Sequence, residues 1–168
     1  MSDYRIESRK FLPRSMWAMF DAFPDQGPCE PALASEALRN AKVALLTSGG
    51  LYMKKSQQPF DIEREKSDPY WGDPSYRIIP RDVGSGEIGV AHLHLNPDDI
   101  EADFNVALPL DIFAELERRG EIGQLAERNY SFMGYQGRSC DTWRETYGPE
   151  LANSLHADAV NLLILAPT

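Results

Sequence analysis

Two histidines separated by one residue, His92 and His94 in "HLHLN", are the side chains of this sequence best suited to acid–base chemistry. Imidazole alone among side chains has an unperturbed titration near neutrality. On a β-strand, residues i and i+2 point to one face. A strand through "IGVAHLHLN" would therefore aim both imidazoles into one site near its carboxyl end. Such a pair can shuttle protons, or bind a metal if a third ligand is supplied. Asp98, Asp99, Asp103 and Asn105 follow within a few residues, and Asp103 is the candidate third ligand. The plainer alternative is that one histidine packs and the other satisfies a backbone carbonyl.

Two other stretches carry residues of chemical interest. "TSGG", with Ser48 and Gly49, could offer backbone N–H groups to an anion, as glycine-rich turns do. It lacks both the G-x-G-x-x-G and the G-K-[ST] patterns, so it supports no nucleotide site, and a tight strand-to-loop turn is its simpler reading. Cys140 in "GRSCDTW" falls at an expected helix start, where the dipole favours a thiolate. It has no C-x-x-C partner and Cys29 is far away in sequence, so a small buried or incidental cysteine is the alternative. Tyr130, Phe132 and Tyr135 in "NYSFMGY" follow a strand period, which suits a core or a pocket wall.

The elements that must position these groups alternate between strand and helix. Residues 1–35 read as an amino-terminal extension: "RKFLPRSMWAMFDAF" has loosely helical aromatic spacing and "PDQGPCEP" breaks it. Residues 36–168 read as one α/β domain, with a short helix expected around Ala34–Asn40. Val43–Thr47 of "KVALLTSGG" form a buried strand and Gly49-Gly50 a turn. About twenty polar, Pro-punctuated residues carrying Phe60, Tyr70 and Trp71 come next, and a loop of that length is functional or disordered. "YRIIP", "IGVAHLHLN" and "YSFMGY" are further strands. "LDIFAELERRG" is a helix with Leu110, Phe113 and Leu116 on one face, Asp111 near its start and Gly120 past its end. "CDTWRETYGPELANSLHA" is helical with a break at Gly148-Pro149. The run Ala159, Val160 and Leu162 to Ala166 then reads as an interior strand covered on both faces. The pattern predicts a three-layer α/β fold with a mainly parallel sheet, incomplete at its carboxyl end.

Composition narrows the function. The 168 residues carry a net charge of -9, from 17 Lys+Arg against 26 Asp+Glu. The basic runs are as short as Lys54-Lys55 and Arg118-Arg119, so neither a nucleic acid nor an anionic membrane is expected as a partner. No apolar stretch approaches the ~20 residues of a membrane span, and the N-terminus lacks the apolar core of a signal peptide. Two cysteines make no disulfide framework, which agrees with a cytoplasmic protein.

Several segments go further. "AKVALLTSGGLYMKKSQQPFD", "YRIIPRDV", "HLHLNPDDIEADFNVALPLDIFAELERRGEIGQLAERNYSFMGY" and "HADAVNLLILAPT" together resemble the glycine/sarcosine/betaine reductase selenoprotein B family, which takes in the D-proline reductase selenoprotein subunits. The resemblance covers roughly residues 36 to 168. Its most specific block is His92, His94, Asp103, Asn105, Pro109, Asp111 and Gly123.

The resemblance implies an oxidoreductase subunit that cleaves a C–N bond reductively with a dithiol/disulfide couple. The substrate would be a small amino acid or amine, activated by a pyruvoyl-type partner subunit, with a dithiol as electron donor. His92 and His94 would protonate the leaving amine or hold a carboxylate, while Asp103, Asn105, Ser48 and Gly49 would bind or orient the substrate. No cofactor is expected within these 168 residues. In the family the segment like "DAVNLLILAPT" leads into a selenocysteine or cysteine followed by a second cysteine, so that redox-active residue is expected after Thr168. The chain then reads as the amino-terminal part of a longer protein, ended at a UGA codon or cut on purpose, and inactive as it stands. An interior strand without its next crossover would leave four large aliphatic side chains uncovered, at a cost of roughly 6–12 kcal/mol. Two alternatives stay open: a metal-dependent hydrolase built on His92, His94 and Asp103, and a non-catalytic scaffold with the same fold.

Overall fold

The structure is a computed structural model, described here for residues 32, 34, 36–68, 70–93, 95–136 and 140–168. Its centre is β1 (Lys42–Thr47), whose last five residues are buried. Along one side of β1 lies β7 (Leu162–Ala166), parallel, in register from Val43 opposite Leu162 to Thr47 opposite Ala166. On the other side run β5 (Gln124–Leu125) and β6 (Arg128–Phe132), both parallel to β1. β3 (Tyr76–Pro80) closes that side, antiparallel to β6. The sheet is thus mixed but mainly parallel. A separate antiparallel pair joins β2 (Leu51–Met53) to β4 (Ile88–Val90).

β5 and β6 are two pieces of one sheet position, interrupted at Ala126 and Glu127. The fully buried Asn129 bridges the interruption. Its Oδ1 accepts the Leu45 N–H at 2.9 Å and its Nδ2 donates to the Ala126 carbonyl at 3.1 Å. A side chain thereby supplies the hydrogen bonds that the broken ladder lacks, as buried backbone groups require.

Period-two alternation divides the core between the two sheet faces. Val43 and Leu45 of β1, Leu125 and Ile79 pack with Ile100 of α2 (Pro97–Ala102), Phe104, Leu108 and Leu110 of α3 (Leu110–Arg118). On the opposite face Leu46 and Tyr130 pack with Leu151 of the last helix and with Trp143, Leu155 and Leu163. Helices therefore cover both faces, which is the three-layer α/β arrangement expected from the sequence. α3 buries Leu110 and half-buries Phe113 and Leu116 on the anticipated face, and Gly120 follows it.

Other elements depart from the sequence reading. The long polar stretch after β2 holds a helix, α1 (Ile62–Ser67), whose Asp61 cap accepts the Arg64 N–H. The helix expected around Ala34–Asn40 is a single 3-10 turn, Leu38–Asn40. Gly148-Pro149 does not break its helix. A short α4 (Cys140–Thr142) runs through a π-helical turn at Trp143–Tyr147 into α5 (Gly148–Ala157), with the Gly148 N–H donating to the Trp143 carbonyl. The wider turn meets Pro149 at the first turn of α5, where a missing N–H is tolerated.

β7 is less covered in this chain than its apolar run alone suggests. Among the described residues it pairs on one side only, with β1. Leu162 and Ile164 pack into the first core and Leu163 into the second, but Leu165 is 64% exposed. The helical layer of the second face reaches Leu163 and not Leu165, so this strand is half-buried rather than covered on both faces.

Candidate functional site

Because β1, β6 and β7 are parallel, their carboxyl ends meet at one edge of the sheet, the edge where open α/β sheets place their ligands. Three segments converge there. The Thr168 N–H after β7 donates to Ser48 Oγ at 2.9 Å, and Thr168 Oγ1 lies 3.3 Å from that hydroxyl and 3.5 Å from Thr47 Oγ1. Thr47 Oγ1 also accepts the Gly49 N–H at 3.1 Å. Ser48 and Gly49, singled out from "TSGG", therefore sit at the strand ends, and Ser48 is engaged with Thr168.

Gly50 ties a further segment to this edge. Its φ of 65° falls in the left-handed region that favours glycine. A Cβ built there would lie 2.3 Å from the Ala91 carbonyl oxygen. The Gly50 N–H donates to the Phe132 carbonyl, and the Gly50 carbonyl accepts the Ala91 N–H. His92 is the next residue. It does not lie on a strand, because the ladder of β4 ends at Val90. His92 stands instead in a turn held against the exit of β6 through Ala91. His94 lies outside the described residues, so the expected pairing of two imidazoles on one face concerns a residue whose placement is not described.

A cleft of about 260 Å³ opens beside His92, lined also by Glu65, Lys66, Trp71, Met133 and Tyr135. Met133 also belongs to a small buried apolar cluster with Phe60 and Ala91. The stretch from 57 to 75 that carries Glu65 and Trp71 is strapped down at several points. Arg77 Nε donates to the Gln58 carbonyl at 2.8 Å, and its guanidinium lies 4.2 Å from the Phe60 ring centroid. Burial pushes the Arg77 pKa down, partly offset by Asp73. Asp73 Oδ2 accepts the Asp61 N–H, and Gln136 Nε2 donates to the carbonyls of Asp73 and Met133. Gly72 allows the closest approach: a Cβ there would lie 1.8 Å from the Tyr135 carbonyl oxygen. The strap thus fixes Trp71 over the exit of β6.

Asp103 and Asn105 are occupied differently. Asp103 Oδ1 accepts from the backbone and side-chain nitrogens of Asn105, both at 3.0 Å. Asn105 in turn accepts the Asp111 N–H at 2.9 Å and donates to Asp111 Oδ2 at 2.8 Å. This network closes the turn before α3 and satisfies donors at its start, the work of helix-capping side chains. Asp98 and Asp99 lie in the first turn of α2, capped by Asn96. Among the described residues no three His, Cys, Asp or Glu side chains gather as a metal-holding group. Cys140 is a half-buried free thiol at the start of α4, and Cys29 lies outside the described residues.

Sequence reasoning noted Trp71 and Tyr135 as aromatics but did not reach Glu65. "DIEREKS" looks like a solvent-facing charged helix. The one available signal is that Ile62 and Glu65 stand at i and i+3, on one side of the helix.

Comparison with known proteins agrees with the family resemblance read from the sequence. Residues 18–168 match the family described as glycine/sarcosine/betaine reductase selenoprotein B. The chain is 32% identical to the D-proline reductase subunit gamma of Acetoanaerobium sticklandii over 131 residues, 78% of this chain and 50% of that protein. It is 33% identical to the glycine reductase complex component B subunit gamma of Symbiobacterium thermophilum over 150 residues, 89% of this chain and 32% of that one. It is 28% identical to the sarcosine reductase complex component B subunit beta of Peptoclostridium acidaminophilum over 166 residues, 98% of this chain and 35% of that one. The chain thus spans about half the length of the first relative and about a third of the other two. No solved structure matches it significantly. No helix among the described residues is long and apolar enough to cross a membrane. The chain belongs to the glycine/sarcosine/betaine reductase selenoprotein B family.

Proposed function

We propose that this chain is part of a cytoplasmic reductase subunit that cleaves the C–N bond of a small amino acid or amine, working with a pyruvoyl-type partner subunit and a dithiol donor. The observation that carries the reading is the hydrogen bond from the Thr168 N–H to Ser48 Oγ at the carboxyl edge of the parallel strands. A selenocysteine or cysteine following Thr168 would enter the protein at the strand ends, on the same edge as the turn that carries His92. Its chemistry would be that of a chalcogenolate nucleophile, ionised near neutrality in the case of a selenol.

The residues of this chain have separate tasks in that reading. Ser48 holds the backbone of Thr168 and so aims the redox-active residue expected after it. Gly49 keeps that corner narrow, since a Cβ there would lie 3.1 Å from Thr168 Oγ1. His92 supplies the proton that the leaving amine needs as the C–N bonding pair departs with nitrogen. His94 is its candidate partner in that task. Asp103 and Asn105 act from one step back, by fixing the turn before α3. The reading draws on family membership and on this convergence of segments.

Two measurements test it. Reading the gene past the Thr168 codon should reveal a selenocysteine or cysteine codon with a second cysteine codon close behind. An ordinary terminator there overturns the proposal. In the full-length protein assembled with its partner, His92→Gln should slow substrate-dependent dithiol oxidation by about 10²–10⁴-fold, the usual contribution of a general acid. Unchanged turnover removes His92 from the mechanism.

A further inference from the structure

We propose that Gly134 is a size-determining position of the strand-end corner, where its missing side chain keeps open the approach to Ser48 and Thr168. That the reactant using this approach is a reductase substrate, on its way to a redox-active residue after Thr168, rests on the function proposed above. The opening itself rests on the surroundings of Gly134 alone.

Met133 pairs with Gly49 in an isolated antiparallel bridge, which sets Gly134 opposite Ser48. A Cβ built on Gly134 would have three atoms of Ser48 as its nearest neighbours: Cβ at 3.4 Å, Oγ at 3.5 Å and the carbonyl oxygen at 3.6 Å. A side chain there would stand against the hydroxyl that accepts the Thr168 N–H at 2.9 Å. Neither the backbone nor the described packing demands glycine at this position. Among the described residues the glycines of positive φ are Gly50 and Gly120. The distances to Ser48 are those of ordinary van der Waals contact, whereas a Cβ on Gly50 or Gly72 would lie 2.3 or 1.8 Å from a backbone oxygen. Gly134 is also exposed, between the buried Met133 and the half-buried Tyr135, so a side chain would have solvent to grow into. At such a site stability favours a residue other than glycine, which loses more conformational freedom on folding. What glycine supplies instead is free space beside Ser48. Thr47 and Ser48 are themselves buried, so the corner is closed from most sides and the exposed Gly134 marks a side left open.

The test places a thiol in the corner by Ser48→Cys and follows alkylation of residue 48 in the folded chain by peptide mass spectrometry. Iodoacetamide is the small probe and N-phenylmaleimide the bulky one, with Cys29 and Cys140 as internal references. Iodoacetamide should label residue 48. Adding Gly134→Leu should slow that labelling by at least about tenfold, and slow the maleimide more, while Cys29 and Cys140 react as before. Gly134→Ala should fall between parent and Gly134→Leu. Should Gly134→Leu fail to fold by circular dichroism, Gly134→Val takes its place. The proposal is overturned if residue 48 resists iodoacetamide, if the folded variants keep the parent rates, if both probes slow equally, or if Gly134→Ala unfolds the chain. In the full-length protein Gly134→Leu should slow alkylation of the residue expected after Thr168 with the same order of probe sizes. A full-length protein with no such residue would defeat the reductase reading and leave a size effect at Ser48→Cys standing as an opening. A reactive residue there, indifferent to position 134, would sink the size-determining role alone.

Discussion

Asn129 and Asn105 show how a single carboxamide can serve the fold in two environments. Asn129 is fully buried and completes the ladder between β1 and the interrupted strand. Asn129→Leu keeps the volume but leaves the Leu45 N–H and the Ala126 carbonyl unpartnered. It should cost about 2–4 kcal/mol of unfolding free energy in urea titration, since each unsatisfied buried group costs about 1–3 kcal/mol. Asn105 is half-exposed and links Asp103 to Asp111 before α3. Asn105→Ala should cost only about 1 kcal/mol, the usual value of a helix cap. A loss as large as that of Asn129→Leu would mean that the turn before α3 is as inaccessible to water as the sheet interior. Asn105 was visible in the sequence as part of a polar group near the histidines. Its capping role was not, because the partner Asp111 is recognised only once the turn between them has closed.

At the scale of elements, the start of β6 and the end of α5 are fastened by one ion pair. Arg128 Nε and Nη2 donate to the two carboxylate oxygens of Asp158 at 2.7 and 2.8 Å. The hydrogen bonds from Arg128 hold the Asp158 carboxyl below its ordinary range, and the same bonds raise the Arg128 guanidinium. A carboxyl whose pKa is lowered by folding stabilises the protein above its unfolded value and loses that contribution as pH falls through the folded one. Asp158→Asn should therefore lower stability near neutrality by up to about 1 kcal/mol, the pair being partly exposed. Below about pH 4, where an unfolded Asp takes up its proton, the gap between parent and variant should close. A gap that stays constant from pH 7 to pH 3 in thermal unfolding would refute the ion-pair assignment. α1 lay hidden in a polar, Pro-punctuated stretch. Two of the helices were legible, for Leu110, Phe113 and Leu116 named the buried face of α3 and Cys140 named the start of α4. The continuity through Gly148-Pro149 was not, because the local rule against proline within a helix gives way when a π turn resets the hydrogen-bond phase.

For the whole molecule, the contrast between β1 and β7 sets where stability resides. Leu45 is fully buried at the sheet centre, and Leu165 is 64% exposed at the edge. Leu45→Ala should cost about 2–5 kcal/mol, whereas Leu165→Ala should stay within about 0.5 kcal/mol. Equal losses in urea titration of this chain would show that β7 is covered in solution. Both strands are nearly continuous apolar runs, so composition could not tell them apart. Burial of a strand depends on what lies over each face and along each edge, and those neighbours come from distant parts of the chain.

By itself, the sequence determined the α/β class with its mainly parallel sheet, the face of α3 and the family resemblance. All of these arise from periodicity or from residue identity at short range. The tertiary structure decided that, among the described residues, β7 pairs on one side only and is half-buried, that His92 stands in a turn, and that Glu65, Trp71 and Tyr135 share a cleft with it. These depend on contacts such as Gly50 with Ala91 and Gly72 with Tyr135, where absent side chains let two distant backbones touch. Local pattern registers a glycine as a turn; only the folded chain reveals which backbone has come to rest against it.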